Sequence, residues 1–306
     1  MSTIFGTSTS AFFERSLMDL TALRKQAEET QAEMSSGERL QRSSDDPVAA
    51  SRLRQLARAD VFDDIDTAAT NRASTDLNLT DNALSQFANF VTRLQELTTQ
   101  AASSTLSTSQ RAGIGEEVAQ IRDNLVALAN ARDGNGNALF GGESAADAYT
   151  LDAAGNATYA GTGAAGVISL GGGQSVSRGV TGPEFLKFQS GGATVDLLAM
   201  TKALADDLKS GTGGAATANA ALTALNDSLN SITTAQTVVG SRLNWIDLNT
   251  ERRTSLSEMR TNEKTEVGGA DLTESIARLQ NTMLVLQASQ ASFSRLANLS
   301  LFSVLN

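Results

Sequence analysis

Residues 34–50 read MSSGERLQRSSDDPVAA, and this stretch contains both a helix stop signal and a helix start signal. Gly37 follows a run with helical periodicity, and glycine in that place ends helices because it adopts left-handed backbone angles without steric cost. Asp46 and Pro47 are an acidic N-cap followed by proline at the first helical position, where its missing N–H does no harm. The stretch therefore predicts one helix that ends near Gly37 and a second that begins at Pro47.

A second break lies near the other end of the sequence. Gly268 and Gly269 interrupt a long helical pattern, and Asp271 then provides the N-cap of a last helix. The two breaks lie at similar distances from the two ends, which predicts that terminal helices 1–40 and 268–306 pair with each other. The segments 41–138 and 196–267 are then expected to form a helical bundle of their own.

Apolar residues in these segments recur at alternating spacings of three and four, the pattern of helices that pack along a seam. Within the bundle the rows include Leu84, Phe87, Val91, Leu94, then Ile114, Val118, Ile121, Leu125, and then Leu225, Leu229, Ile232, Val239. The sequence therefore predicts a mainly α fold: a long helical bundle with paired, coiled-coil-like terminal helices.

The terminal helices carry rows of the same kind, but each has only one partner helix within the protein. Apolar surface that one partner cannot cover is expected to contact other subunits. We therefore predict a subunit-assembly seam, which consists of Phe13, Leu17, Leu20, Ile276, Leu279, Met283, Leu286, Phe293 and Val304.

Glycine is concentrated in the middle of the sequence, where 139–195 predicts a small β-rich inserted domain. The segments 149–151 and 157–159 flank one hairpin turn, and 167–170 and 175–177 flank a second turn at 171–173. So few large apolar side chains predict a thin core. We therefore expect that residues 143–190 can be replaced by a short linker at little cost to the helices.

Composition excludes most catalytic chemistry. The protein has no Cys and no His, which removes thiol chemistry, disulfides, His-based triads and the usual zinc and copper sites. A net charge of −10 also argues against nucleic acid as a partner, because phosphate binding rests on clustered Lys and Arg. We expect no enzyme activity and no cofactor.

Two stretches copy the letters of ligand-binding motifs. Gly161–Gly166 has the glycine spacing of a dinucleotide loop, but a strand and more glycines follow it instead of a helix. Asp133–Asn137 copies the start of an EF-hand loop but lacks the glycine and the glutamate that complete it. Paired carboxylates such as Asp63 and Asp64 point apart on one helix, so such pairs predict solvated faces or caps rather than acid–base pairs. No catalytic, cofactor-binding or metal-binding residue is expected.

Targeting signals are not evident in the sequence. Residues 1–30 lack the basic start and apolar run of a cleaved signal peptide, and no apolar run approaches the ~18 residues of a membrane span. We expect a protein that neither spans nor binds a membrane.

The break segments resemble the bacterial flagellin family. The Asp-Asp-Pro sequence and the glycine-rich stretch 136–142 are more similar to family members at the hook–filament junction than to filament subunits. The residues that carry the family motif are Ser36, Gly37, Arg39, Leu40, Asp45, Asp46, Pro47, Arg93 and Glu96.

The resemblance implies a structural subunit of the flagellum that connects hook to filament. Such a subunit is exported unfolded by the flagellar type III system, without a cleaved signal peptide, and assembles outside the cell. Its implied partners are further copies in a homo-oligomeric ring, a neighbouring hook-associated protein, flagellin, and an export chaperone on the C-terminal helix.

Two other interpretations remain open at this stage. The sequence is also compatible with a filament flagellin or a flagellin-like cell-surface protein, with or without a glycan-binding insert. A third interpretation is an unrelated enzyme or glycan-binding protein on a helical stalk, in which the insert carries the activity.

Overall fold

The computed structural model describes the backbone of residues 4–40, 42–210 and 215–304, and the side-chain environment of 11–40, 42–210 and 216–296. Its mainly helical architecture with short strands confirms the expected fold class. The helices are α1 Ile4–Ser36, α2 Pro47–Ala101, α3 Thr108–Ala129, α4 Gly182–Leu186, α5 Leu197–Ser210, α6 Ala215–Gly268 and α7 Leu272–Val304. The strands are β1 Tyr149–Leu151, β2 Ala157–Tyr159, β3 Val167–Gly171, β4 Gln174–Ser177, β5 Lys187–Ser190 and β6 Ala193–Asp196.

Both predicted breaks are confirmed in atomic detail. Gly37 adopts a φ of 71° directly after α1. Asp46 caps α2, because its Oδ1 accepts hydrogen bonds from the amides of Val48 (3.1 Å) and Ala49 (3.0 Å). Asp271 caps α7 in the same way, with its Oδ1 2.8 Å from the Thr273 amide nitrogen.

The strands form three separate antiparallel hairpins. β1–β2 and β3–β4 are the two predicted from the sequence, and both are confirmed. The third, β5–β6, was missed, although alternation over 187–190 and the turn at Gly191–Gly192 are the appropriate sequence signals.

The protein divides into two compact units, and the first comprises Met1–Val61 and Ser255–Asn306. In this unit α1 packs against α7, which confirms that the terminal helices pair. The two helices run antiparallel, because Phe13 contacts Phe293 while Glu33 lies near Arg278 at the opposite end.

The second unit, Phe62–Thr254, contains the helical core and all three hairpins. The predicted inner rows are buried in it, with Leu84, Phe87, Val91, Leu94, Val118 and Leu125 fully inaccessible. α3 and α5 approach closely at Gly115, where a Cβ atom would lie 2.9 Å from the backbone nitrogen of Lys209. A glycine is therefore required at this crossing.

The hairpin region shares this core, contrary to the expectation that it is separable. Phe140 and Phe185 pack edge-on against Phe87 of α2, with ring centroids 5.8 and 5.1 Å away. All three rings are completely buried. Removal of residues 143–190 would delete Phe185 and open this cluster to water. The expectation that this removal costs the helices little stability is therefore corrected.

Polar contacts reinforce the same attachment. Asn130, directly after α3, exchanges two hydrogen bonds of 2.8 Å with the backbone of Tyr149 in β1. Arg242 of α6 donates to the carbonyl oxygen of Gly179 at 2.6 Å. Each contact joins a helix to the hairpin region, so the region is fixed on more than one side.

Among the described residues, no helix combines the length and the hydropathy needed to cross a lipid bilayer.

We predict that substituting Phe185 with Ala lowers the free energy of unfolding by about 3–5 kcal/mol, because the cavity lies in a fully packed aromatic cluster. Replacement of residues 143–190 by a Gly/Ser linker should likewise lower the melting temperature of the helices, measured by circular dichroism in the far ultraviolet. Leu151→Ala is the control, since Leu151 is exposed in β1. An unchanged helical melting temperature in the linker variant would contradict the shared core.

Candidate assembly surfaces

Short side chains form the contact between α1 and α7. The most buried positions on the two helices are Ala27, Thr30, Ser275, Thr282 and Leu286, with exposed fractions from 2% to 8%. Both threonine hydroxyls donate to carbonyl oxygens of their own helix, Thr30 to Gln26 and Thr282 to Arg278. Apart from Leu286, these buried side chains are short, so each of them contributes little hydrophobic free energy.

Several large apolar side chains of the same helices are exposed to solvent. Leu17 is 53% exposed, and Ile276 and Met283 are each 43% exposed. The predicted seam did not include further exposed members of this surface, which are Phe12, Met18, Leu272, Leu284, Val285 and Leu296.

The predicted assembly seam is therefore divided in the structure. Phe13, Leu20, Leu279 and Phe293 are half-buried, and Leu286 is buried. Phe13 and Phe293 meet at 5.3 Å in an edge-to-face arrangement, which closes the pair near its outer end. Val304 lies outside the described side chains. Leu17, Ile276 and Met283 are the seam residues that a single subunit leaves uncovered.

Backbone contacts join the two glycine breaks. Glu38 and Gly269 form an isolated antiparallel bridge. On either side of it, the Arg39 amide donates to the carbonyl oxygen of Gly268 at 2.8 Å, and the Ala270 amide donates to that of Gly37 at 2.9 Å. The Arg39 guanidinium adds a bond of 2.9 Å to the carbonyl oxygen of Val267. We call these paired segments, 37–39 and 267–270, the waist.

Other family-motif residues shape the waist and the loop beside it. Ser36 accepts a hydrogen bond from the Glu38 amide, at 3.1 Å. Leu40 lines a cavity of about 390 Å³ together with Leu53 of α2. Asp45 accepts from the Arg42 amide at 2.9 Å, and Arg39 approaches Asp46 at 3.8 Å. These contacts give most of the motif a local structural role.

Ion pairs join α2 to α6 beyond the waist, and they were not predicted from the sequence. Arg52 contacts Glu263 through two hydrogen bonds, of 2.5 and 2.9 Å. Asp60 accepts from Arg260 at 2.8 Å and from Lys264. The hydrogen bond from Lys264 lowers the pKa of the Asp60 carboxyl. Burial acts in the opposite direction, and Arg260 lowers the pKa further. These pairs link positions about 200 residues apart in sequence.

The remaining family-motif residues lie on the surface of the second unit. Arg93 contacts Glu96 one turn away at 2.8 Å and Glu117 of α3 at 2.6 Å. These side chains are roughly half exposed, so solvent screens both pairs and they contribute little to stability. Their role is to align α2 with α3.

The motif-like stretches have structural roles. Gly161–Gly166 is a loop that leads into β3, and the Tyr159 hydroxyl donates to the carbonyl oxygen of Thr162 at 2.7 Å. The carboxylate of Asp133 accepts the amides of Asn135 (2.8 Å) and Asn137 (2.9 Å), and its second oxygen pairs with Arg178 at 3.2 Å. Asp133 therefore holds its own loop together and anchors Arg178.

Comparison with known proteins identifies similar chains. Residues 13–145 match the bacterial flagellin N-terminal helical region. Flagellar hook-associated protein 3 of Escherichia coli is 26% identical over 97% of this chain and 98% of its own length. The Salmonella typhimurium protein of the same name is 33% identical over 44% of this chain and 43% of its own length.

Solved structures show the same fold. The flagellar junction protein FlgL from Legionella pneumophila has a TM-score of 0.62 at 15% identity, over 71% of this chain and 99% of that one. FlgL from Xanthomonas campestris has a TM-score of 0.58 at 18% identity, over 69% of this chain and 99% of that one.

We predict that Asp60→Asn lowers the free energy of unfolding by up to about 1 kcal/mol at about pH 7, because Arg260 and Lys264 lose their carboxylate. Since the folded-state pKa of Asp60 is lowered, its contribution is present above the ordinary carboxyl pKa and is lost as pH falls through the folded value. The difference from wild type should therefore vanish once the pH lies below that folded value.

Thermal melts across pH measure this difference. Asp64→Asn is the matched control, because Asp64 is an exposed carboxylate of the same helix. A destabilisation of Asp60→Asn that stays constant down to strongly acidic pH would contradict the ion-pair account.

Proposed function

We propose that the chain is a member of the bacterial flagellin family and that it is the subunit that joins the flagellar hook to the filament. It is a structural protein of the flagellum rather than an enzyme, in keeping with its relatives. The names of the relatives support the finer assignment, since two are hook-associated protein 3 and one is a flagellar junction protein.

One observation carries the assembly role. The terminal pair turns small side chains inward and leaves Leu17, Ile276 and Met283 exposed, which is the reverse of a self-sufficient helical hairpin. In addition, no charged residue occurs between Leu279 and Ser294 or before Glu14. Such surfaces are stable in water only when further copies cover them, so we infer a homo-oligomeric ring in which terminal helices cover one another.

The same surface suggests how export and assembly are coupled. A terminal pair with little buried area is easily separated, which suits a subunit that the flagellar type III system exports unfolded. An export chaperone would cover the uncharged row of α7 until export. Outside the cell, the subunit would lie between a hook-associated protein and flagellin.

This assignment implies a working division of the protein. Residues 1–40 and 268–306 are the terminal helices that assemble, and 41–138 with 196–267 form the helical bundle. Residues 139–195 are the β-rich insert, fixed to that bundle.

A filament flagellin is the second candidate, because the matched N-terminal region is named for flagellins in general. Immunogold labelling of intact flagella distinguishes the two. We expect label confined to the point where hook meets filament. Label along the whole filament would assign the protein as flagellin, and label elsewhere on the cell surface would exclude both.

We predict that Met283→Glu abolishes assembly while the monomer stays folded. Met283 is 43% exposed, so a charge there costs the isolated subunit little, whereas in a ring it would be buried without a partner. Motility of a strain that carries only the variant measures assembly, and circular dichroism of the purified protein measures folding.

Asn281→Glu is the matched control, because it places the same charge at an exposed polar position of α7. It should preserve swimming. Wild-type motility with Met283→Glu would contradict the assembly seam.

A further inference from the structure

Two loops of the protein share one hydrogen-bonding pattern. In loop 133–137, Asp133 Oδ1 accepts the amides of the third and fifth residues, and its Oδ2 accepts from the Asn137 side chain at 3.2 Å. Loop 152–156 repeats every one of these bonds around Asp152, with a side-chain bond of 2.9 Å from Asn156. In both loops the fourth residue is a glycine with positive φ, 84° in the first and 76° in the second.

The loops differ at the third position, which is Asn135 in one and Ala154 in the other. Both side chains are exposed. Asn135 and Gly136 form the single Asn–Gly pair of the sequence. Within the described residues, the Asn135 side-chain amide has no hydrogen-bond partner, and nothing lies within 4 Å of the position a Cβ of Gly136 would take.

An exposed Asn–Gly pair favours an intramolecular reaction of the asparagine side chain. A backbone nitrogen can attack the Cγ atom of a preceding asparagine, and a following glycine makes the approach easiest because it has no Cβ and a freely variable backbone. We propose that Asn135 is a site of spontaneous deamidation, and that opening of the Asp133 loop controls its rate.

The reaction needs only water. The Gly136 nitrogen bonds to Asn135 Cγ and gives up its proton to solvent, while the bond from Cγ to Nδ2 breaks and ammonia leaves, which yields a cyclic imide. Water then adds to one of the two imide carbonyls, and the ring opens to aspartate or isoaspartate. The net change is one water consumed and one ammonia released.

The native loop restrains this reaction. The Gly136 amide donates to the carbonyl oxygen of Asp133 at 3.0 Å, so the attacking nitrogen is held in the turn. Asp133 is itself buried and paired with Arg178, which makes the closed loop more stable. Modification therefore proceeds through the fraction of molecules in which this loop is locally open.

Deamidation would in turn damage the attachment of the hairpin region. Aspartate adds a negative charge beside Asp133, and isoaspartate adds a backbone methylene that the five-residue loop cannot accommodate. The loop leads directly to Phe140 of the buried aromatic cluster and holds Arg178. Aged protein should therefore melt at a lower temperature than fresh protein.

The test is incubation of the full-length protein at mildly alkaline pH, followed by peptide mapping with mass spectrometry. Asn137 and Asn156 are internal controls, since each occupies the fifth position of one loop and precedes alanine. We expect Asn135 to convert at least about tenfold faster than either control. Conversion of Asn135 at the rate of the two controls would overturn the site.

Transfer of the Asn–Gly pair into the second loop tests whether loop opening controls the rate of deamidation. Ala154→Asn creates a second Asn–Gly pair in the same geometry, but around Asp152, which is exposed. Both loops also receive an arginine bond on the glycine carbonyl, from Arg132 and from Arg122. Apart from the second position, Gly134 in one loop and Ala153 in the other, the main difference is thus the burial and pairing of the aspartate. We expect the asparagine introduced at position 154 to convert several-fold faster than Asn135. An equal or slower rate would overturn the role of Asp133.

Discussion

A single partner helix can cover only a narrow strip of the surface of a long helix, and this limit determines the behaviour of the terminal pair. Within that strip α1 and α7 place Ala27, Thr30, Ser275 and Thr282, which allow close approach but bury little apolar area. Leu286 is buried and Phe13 meets Phe293, but several larger side chains, among them Leu17 and Met283, are left on the outside. Intramolecular pairing sets the register of the two helices, and the exposed apolar side chains would gain hydrophobic free energy only from the neighbours that the proposed function supplies.

The waist depends on a second constraint, which is backbone proximity. A Cβ on Gly269 would clash with the carbonyl oxygen of Thr265, and one on Gly268 would lie 2.9 Å from the Leu53 side chain. The backbone clash with Thr265 requires glycine at position 269, whereas the Leu53 methyl group near Gly268 is the flexible end of a side chain. The family motif in this segment needs no binding partner to explain it, because Gly37, Arg39 and Asp46 act on the backbone around them.

Local signals account for what could be predicted from the sequence. The helix end before Gly37, the helix start at Pro47 and the N-cap at Asp271 each depend on residues that are close together in the sequence. The same holds for the two predicted hairpins. At such short separations, turn and cap chemistry acts directly. The shared core of the hairpin region could not be predicted in this way. Phe87, Phe140 and Phe185 meet from three distant segments, and apolar periodicity does not show which segments will contact each other. The contact between Asp60 and Lys264 was missed for the same reason.

The structure does not support the prediction that the insert can be separated from the helices, and the reason bears on the proposed function. If the hairpin region were a separate domain, only contacts among the helices would hold the second unit together. Instead, Arg178 links Asp76 of α2 to Asp133 after α3, and Arg242 of α6 contacts the segment that follows β4. The hairpins thereby tie the long helices together at several points.

Because most of the buried side chains between α1 and α7 are short, the second unit, with its aromatic cluster, is expected to supply most of the stability of the free subunit. Under the proposed function, the exposed apolar side chains of α1 and α7 would contribute only after further copies are present. The second unit would then fold before neighbours complete the first, which is what a subunit that polymerises only after export would need.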